Sequence, residues 1–423
     1  MRRPTTPPRR FGFTMVELLV VILVLVILLG LLMPAVMRAV STAKDASVAA
    51  EINQMAQALA DFKNRYGTYP PSRILVSETG NFSTSSTSGA GNLSNWAGCP
   101  LLVSRSISAL RRIFPRMQIS TTGPVAGIPG GFYDFNGNTT NDGAYLMEGP
   151  DCLVFFLGGI PQQTGTGTGT PTGWAVTGFG TNPFNPMASS IRPPTPGAWP
   201  YSQNRTPLLF EFNNGRLDDN LPLSSEGTGG LTPNGIPEYY DSLTSHTRGS
   251  LDGFFAYFSA YEGVGYDPDD CDGAIQEQDD EGNPESGAFM TNNIGTPIVA
   301  SPMGRPDFIS SPPPNPYVND TPIPQTSTGA ADSSSAASYR PRAYQNPQTF
   351  QIISPGRDRN WGIGGQYVTN VPSGRLPLVV SGASGGLQSY SATTTATGIT
   401  NMSANVRTRE LDNITNFSGG RLE

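Results

Sequence analysis

Apolar and polar positions are spread unevenly along this chain. Between Leu18 and Met37 there is no charged residue, and Leu, Val and Ile dominate. About twenty such residues suffice to span a bilayer core as a helix. Beyond them the pattern changes. Ile52, Met55, Ala56, Leu59, Phe62 and Tyr66 recur at three- and four-residue spacing, while Glu51, Gln54, Gln57, Asp61 and Lys63 fill the other positions. This spacing predicts an amphipathic helix packed on a globular body by one stripe. Gly67 is a usual residue just past a helix end, and Pro70-Pro71 prevent continuation. One helix over 13–66 is expected, about 80 Å long at 1.5 Å per residue. Gly30 and Pro34 weaken its middle, Pro34 by removing a backbone donor and crowding the preceding turn. A kink or a softened stretch is expected there.

The remainder, 67–423, reads as short strands and turns separated by low-complexity stretches. Cys152–Leu157 fits a buried helix or strand, and Leu208–Phe212, Phe254–Phe258 and Phe350–Ile353 read as strands. The Thr-Gly repeat within about 163–173 and the Ser/Pro/Ala-rich run over about 305–347 read as flexible loops. Residues 412–420 read as an exposed tail.

Composition narrows the function classes. Gly (49) and Pro (39) fill about a fifth of the chain, charged residues only 14%, and there is one histidine. Such a balance implies much loop. The net charge of -7 argues against nucleic acid as a partner, because phosphate binding needs a basic surface. Arg2, Arg3, Arg9 and Arg10 precede any acid, so the body is more acidic still, and the two ends are expected in different compartments. Cys99, Cys152 and Cys271 form no CxxC pair, which leaves zinc-ribbon and thioredoxin-like chemistry unsupported. Cys152, inside an apolar run, is expected as a buried free thiol.

The N-terminal segment admits three readings. A secretory signal would have a shorter apolar region before a site such as Ala39-Val40-Ser41, and a twin-arginine signal would use Arg9-Arg10-Phe11. Neither accounts for Glu17, since an acid at the edge of a membrane helix is costly and is a functional candidate by default. Arg-Arg-Phe-Gly-Phe-Thr-Met-Val-Glu-Leu-Leu-Val-Val (9–21) resembles the signal of type IV prepilins and type II secretion pseudopilins. The resemblance covers about fifty of the 423 residues.

The resemblance implies cleavage by prepilin peptidase between Gly12 and Phe13, methylation of the new N-terminus at Phe13, and assembly roles for Glu17 and for Pro34 as a kink. It implies an α+β fold: a basic leader 1–12, a transmembrane and assembly helix 13–66, and a large loop-rich head 67–423 with a small antiparallel sheet. Implied partners are the peptidase/N-methyltransferase, other pilin-like subunits, and an inner-membrane assembly platform with its ATPase. The basic end would stay cytoplasmic and the head lie in the periplasm. No cysteine follows Cys271, so the C-terminal disulfide loop of many type IV pilins is missing, which favours a pseudopilin-like subunit. A minor tip subunit or adhesin, and a membrane-anchored envelope enzyme, are the competing readings.

Two acidic segments suggest a cation. Asp134, Asn136, Asn138 and Asp142 place oxygen side chains at alternating positions, as calcium loops do, but Tyr145 sits where a closing acid belongs. Asp267, Asp269, Asp270 and Asp272 have the carboxylates in the wrong phase. No other cofactor is expected. Catalysis is not expected either: His246 lies in a polar stretch without a nucleophile elbow, and no Walker or dinucleotide fingerprint occurs.

Overall fold

The structure is a computed structural model that describes residues 14–96, 100–164, 173–219, 235–243, 253–261, 265–266, 276–278, 284–289, 316–318, 344–359, 361, 365–367 and 410–422. The chain separates into two compact units, Met1–Ser47 and Val48–Glu423. The boundary falls inside the first helix, α1 (Met15–Tyr66).

In the first unit α1 carries apolar side chains all round. From Met15 to Val40 the large apolar side chains are 47–89% exposed, and the helix is long and apolar enough to cross a membrane. Pro34 lies within it, yet the helix runs unbroken from Met15 to Tyr66. The expected softening therefore does not take the form of a melted turn.

In the second unit α1 becomes one-sided. Val48, Ile52, Met55, Ala58, Leu59 and Phe62 are buried, and Ala56 and Tyr66 are partly so. That is the stripe the spacing predicts, with each fully buried apolar side chain worth about 1.5–3 kcal/mol. The helix stops at Gly67, whose backbone takes φ 78° and whose N–H donates to the Lys63 carbonyl at 2.7 Å. A left-handed closing residue suits glycine because no Cβ crowds the carbonyl.

After α1 come β1 (Ile74–Ser77), α2 (Pro100–Ile113), β2 (Ala144–Met147), α3 (Gly149–Gly158), β3 (Pro161–Thr164), β4 (Gly173–Val176), β5 (Leu217–Asp218) and β6 (Glu238–Tyr239). Then follow β7 (Ala256–Tyr261), β8 (Gly265–Tyr266), β9 (Gln276–Gln278), β10 (Pro284–Phe289), β11 (Tyr317–Val318), β12 (Phe350–Ser354), β13 (Gly365–Gln366) and β14 (Ile414–Thr415). The described architecture is α+β: a long helix, then small sheets with interspersed helices. β14, β12, β7 and β8 form one antiparallel sheet in that order. β1–β2, β3–β4, β5–β6 and β9–β10 are antiparallel pairs, and β11–β13 is parallel. α3 is buried on every side, with Phe156 set edge-on to Phe62 at 5.8 Å between ring centroids. Periodicity alone cannot separate a helix from a strand in such a run.

Three expectations are corrected. Leu208–Phe212 is not a strand. Leu209 donates its N–H to the Leu157 carbonyl at 2.9 Å, so the segment folds against the end of α3 and sets Phe210 and Phe212 edge-on to Tyr239. The 305–347 run is not all loop. Tyr317 and Tyr344 are buried, and the Gln351 side chain takes the place of a strand, accepting from Tyr317 N–H and donating to its carbonyl, both at 2.8 Å. The tail is not exposed: Ile414 and Leu422 are buried, and β14 pairs with β12. Its asparagines serve backbone groups rather than water, Asn413 donating to the Trp361 carbonyl at 2.9 Å and Asn416 accepting from Ile352 N–H at 3.0 Å.

Candidate functional site

Two places hold the residues singled out in the sequence. The first is the start of α1. Gly12 and Phe13 lie outside the described residues. Immediately after them, Thr14 and Glu17 form a reciprocal cap. Thr14 N–H donates to Glu17 Oε2 at 2.9 Å, Thr14 O–H donates to the same oxygen at 2.9 Å, and Glu17 N–H donates to Thr14 Oγ at 3.2 Å. This is a capping box, Thr-x-x-Glu, which satisfies two of the amide groups a helix start leaves open and sets a negative charge at the positive end of the helix dipole. Glu17 is exposed, and its carboxylate is held by Thr14 of its own segment. Pro34 sits on the exposed apolar part of α1.

The second is the loop after Tyr133. Asp134, Asn136, Asn138 and Asp142 do come together. Asn136 donates its amide to Asp142 Oδ2 at 2.9 Å, and Asn138 donates to the same oxygen. Thr139 N–H donates to Asp134 Oδ2 at 3.1 Å. Gly137 makes the turn with φ 69°, and a Cβ there would lie 1.8 Å from the Pro161 carbonyl oxygen. Only glycine fits that approach.

Glu78, which sequence inspection does not single out, completes this loop. It follows β1 directly, and β1 pairs with β2 so that Ser77 lies opposite Ala144. Asp142 N–H donates to Glu78 Oε2 at 2.6 Å and Tyr145 O–H donates to Glu78 Oε1 at 3.2 Å. Glu78 and Asp134 are fully buried. Burial pushes the Glu78 carboxyl up to about 9, against the Asp142 N–H that favours its charge, while the Asp142 and Asp134 carboxylates push it further up. Burial likewise raises Asp134 to about 7, opposed by loop N–H groups. The only advance signal for Glu78 is an acid directly after a short apolar strand. Among the described residues no group of three or more His, Cys, Asp or Glu side chains could hold a metal ion.

The other candidates are quickly placed. Cys152 is buried on α3, as expected, with its thiol donating to the Met147 carbonyl at 3.6 Å. His246, Cys99, Cys271 and the acidic segment 267–273 lie outside the described residues.

Residues 7–33 match the family model for the prokaryotic N-terminal methylation motif. No curated protein and no solved structure matches the chain. The motif ends inside the exposed apolar stretch of α1 and contains the Thr14–Glu17 cap. The chain thus carries a prepilin-type N-terminal methylation signal at the start of its long apolar helix.

Proposed function

We propose that this protein is a structural subunit of a filament-building envelope machine, either a type II secretion pseudopilus or a type IV pilus-like fibre. In this reading prepilin peptidase cleaves between Gly12 and Phe13 and methylates Phe13. One observation carries it: the methylation motif over 7–33 lies on a helix whose apolar surface from Met15 to Val40 is left uncovered. A continuous apolar surface of that length requires lipid or neighbouring helices. The bilayer supplies the first before assembly, and the same helix of other subunits supplies the second afterwards. The arginine-rich leader keeps the N-terminus cytoplasmic and sends the body outward.

Glu17 has a defined part in this reading. Cleavage after Gly12 creates an ammonium group at Phe13, one residue before the Thr14 N–H that Glu17 caps. The exposed carboxylate is then available to the ammonium of a neighbouring subunit, which selects register. The partners are the peptidase, sibling subunits and the inner-membrane platform with its ATPase. The body acts by packing and contact, with no catalytic residue assigned.

Mass spectrometry of the native protein tests the processing. The expected result is an N-terminal peptide starting at Phe13 with one added methyl group; an N-terminus near Ser41 would overturn the reading. Glu17→Gln keeps the cap's shape without its charge. It is expected to leave cleavage intact and to lower recovery in sheared filaments at least several-fold.

A further inference from the structure

We propose that the cleft between the loop after α1, one face of α2 and the end of β7 binds a carboxylate carried on a short apolar stem. Helical spacing builds one wall. Arg105, Ser108, Ala109 and Arg112 stand at i, i+3, i+4 and i+7 along α2, so they share one face of that helix, and all four line the cleft. Ser259 and Tyr261 share one face of β7 by strand alternation, and both line the opposite side. The loop after α1 is tied to β7 by Ser259 N–H, which donates to Ser72 Oγ at 3.1 Å, and by Tyr257 O–H, which donates to the Pro70 carbonyl at 2.8 Å.

The chain has a net charge of -7, yet Arg73, Arg105 and Arg112 all line this one cleft, and among the described residues no Asp or Glu does. Arg105 is only 8% exposed, with its guanidinium over the Tyr261 ring at 4.6 Å. The ring orients the guanidinium plane. Arg112 is exposed and donates to the Gly67 carbonyl at 3.3 Å, which uses one of its donors. Lys63 Nζ lies 4.4 Å from the ring centroid of Tyr69, another lining residue. Positive charge gathered against low-dielectric walls favours an anion.

Ser259 adds a sign of a ligand that is independent of charge. It is 4% exposed, it lines the cleft, and its Oγ is buried without a hydrogen-bond partner. A buried hydroxyl costs free energy until something accepts its proton. A carboxylate oxygen does so. Ser108, by contrast, already donates to the Ser104 carbonyl at 2.9 Å.

Size and wall chemistry set the class of anion. The cleft has about 60 Å³ of space, enough for roughly four waters or for one carboxylate with a short stem. Leu102, Ala109, Ala260 and Pro71 contribute apolar wall, which suits methylene groups and offers few donors to the further oxygens of a phosphate. The guanidinium fork matches the two coplanar oxygens of a carboxylate. Such a group comes from a free short-chain acid or from a glutamate side chain of a polypeptide, and the chemistry recognised is the same.

Saturation-transfer NMR on the full-length protein in detergent tests the site with two probes, sodium butyrate and a blocked tripeptide with a central glutamate. At least one is expected to show transfer and to protect Arg112 from phenylglyoxal, read by peptide mass spectrometry, with sodium phosphate protecting several-fold less. Transfer to the tripeptide assigns the carboxylate to a polypeptide; transfer to butyrate alone assigns it to a free acid. Ser259→Ala should weaken binding several-fold and leave Tm unchanged, because the hydroxyl it removes has no partner in the unliganded protein. Arg112→Gln, at an exposed position, should weaken binding roughly tenfold. No transfer to either probe overturns the proposal, and so does phosphate protection equal to that of the acids. Unchanged affinity in folded Ser259→Ala or Arg112→Gln overturns it as well. Should a variant fail to fold, the wild-type protection experiment still decides.

Discussion

Single residues set the strictest constraints. Gly137 combines φ 69° with a Pro161 carbonyl 1.8 Å from where a Cβ would stand. Gly137→Ala must move backbone, so a loss of roughly 2–4 kcal/mol is expected, read as a lower denaturation midpoint. Asp241 is a different case. Burial pushes its carboxyl up to about 6, although Leu243 N–H, the Ser354 hydroxyl and the Arg216 charge favour the ionised form; Glu51 opposes it. The folded protein therefore binds this proton more tightly than the unfolded chain does. Stability from this group is fully present below the unfolded value near 3.8 and is lost as pH rises toward 6. The loss is on the order of 2–3 kcal/mol. Comparing denaturation midpoints from pH 4 to 6, Asp241→Asn should show a flatter slope than the wild-type protein.

Among the elements, α1 was the most legible and still hid one contact. Its buried stripe follows directly from residue spacing, because helical geometry is local. Glu51 reads as a solvent-facing acid. In the structure it holds Arg216 through two nitrogens, at 2.7 and 2.9 Å, and accepts from Tyr239 O–H at 2.7 Å. Arg216 also lies over the Tyr239 ring at 4.3 Å and donates to the Tyr240 carbonyl. The pair is largely buried, at 18% and 16% exposed, so removing one partner strands the other. Glu51→Ala and Arg216→Ala are each expected to cost about 3 kcal/mol. The double variant should cost less than the two together, by about 1–3 kcal/mol of coupling. Additive losses would show that the pair contributes no joint stabilisation.

At the scale of the whole molecule, the C-terminus decides whether the second core closes. Leu422 is buried with Trp361, Phe254 and Tyr317, and β14 extends the sheet beyond β12. Removing residues 410–423 should abolish cooperative thermal unfolding of the body, measured by near-ultraviolet circular dichroism. A tail in water would leave the transition unchanged. The polar composition of 412–420 suggested such a tail, and it misled because asparagine side chains replace water as partners for backbone groups.

The sequence by itself determined what depends on neighbours along the chain: the methylation signal, the apolar helix, its amphipathic continuation and its stop at Gly67. Each is a matter of spacing within a few residues. It also brought Asp134, Asn136, Asn138 and Asp142 into one candidate loop. Only the tertiary structure placed Glu78 beside that loop, Arg216 beside Glu51, and β14 beside β12. The reason is physical. Strand pairing joins segments far apart in sequence, and the alternation of side chains along a strand does not say which partner it will meet. Glu78 accepts from the loop's Asp142 N–H across 64 residues of chain.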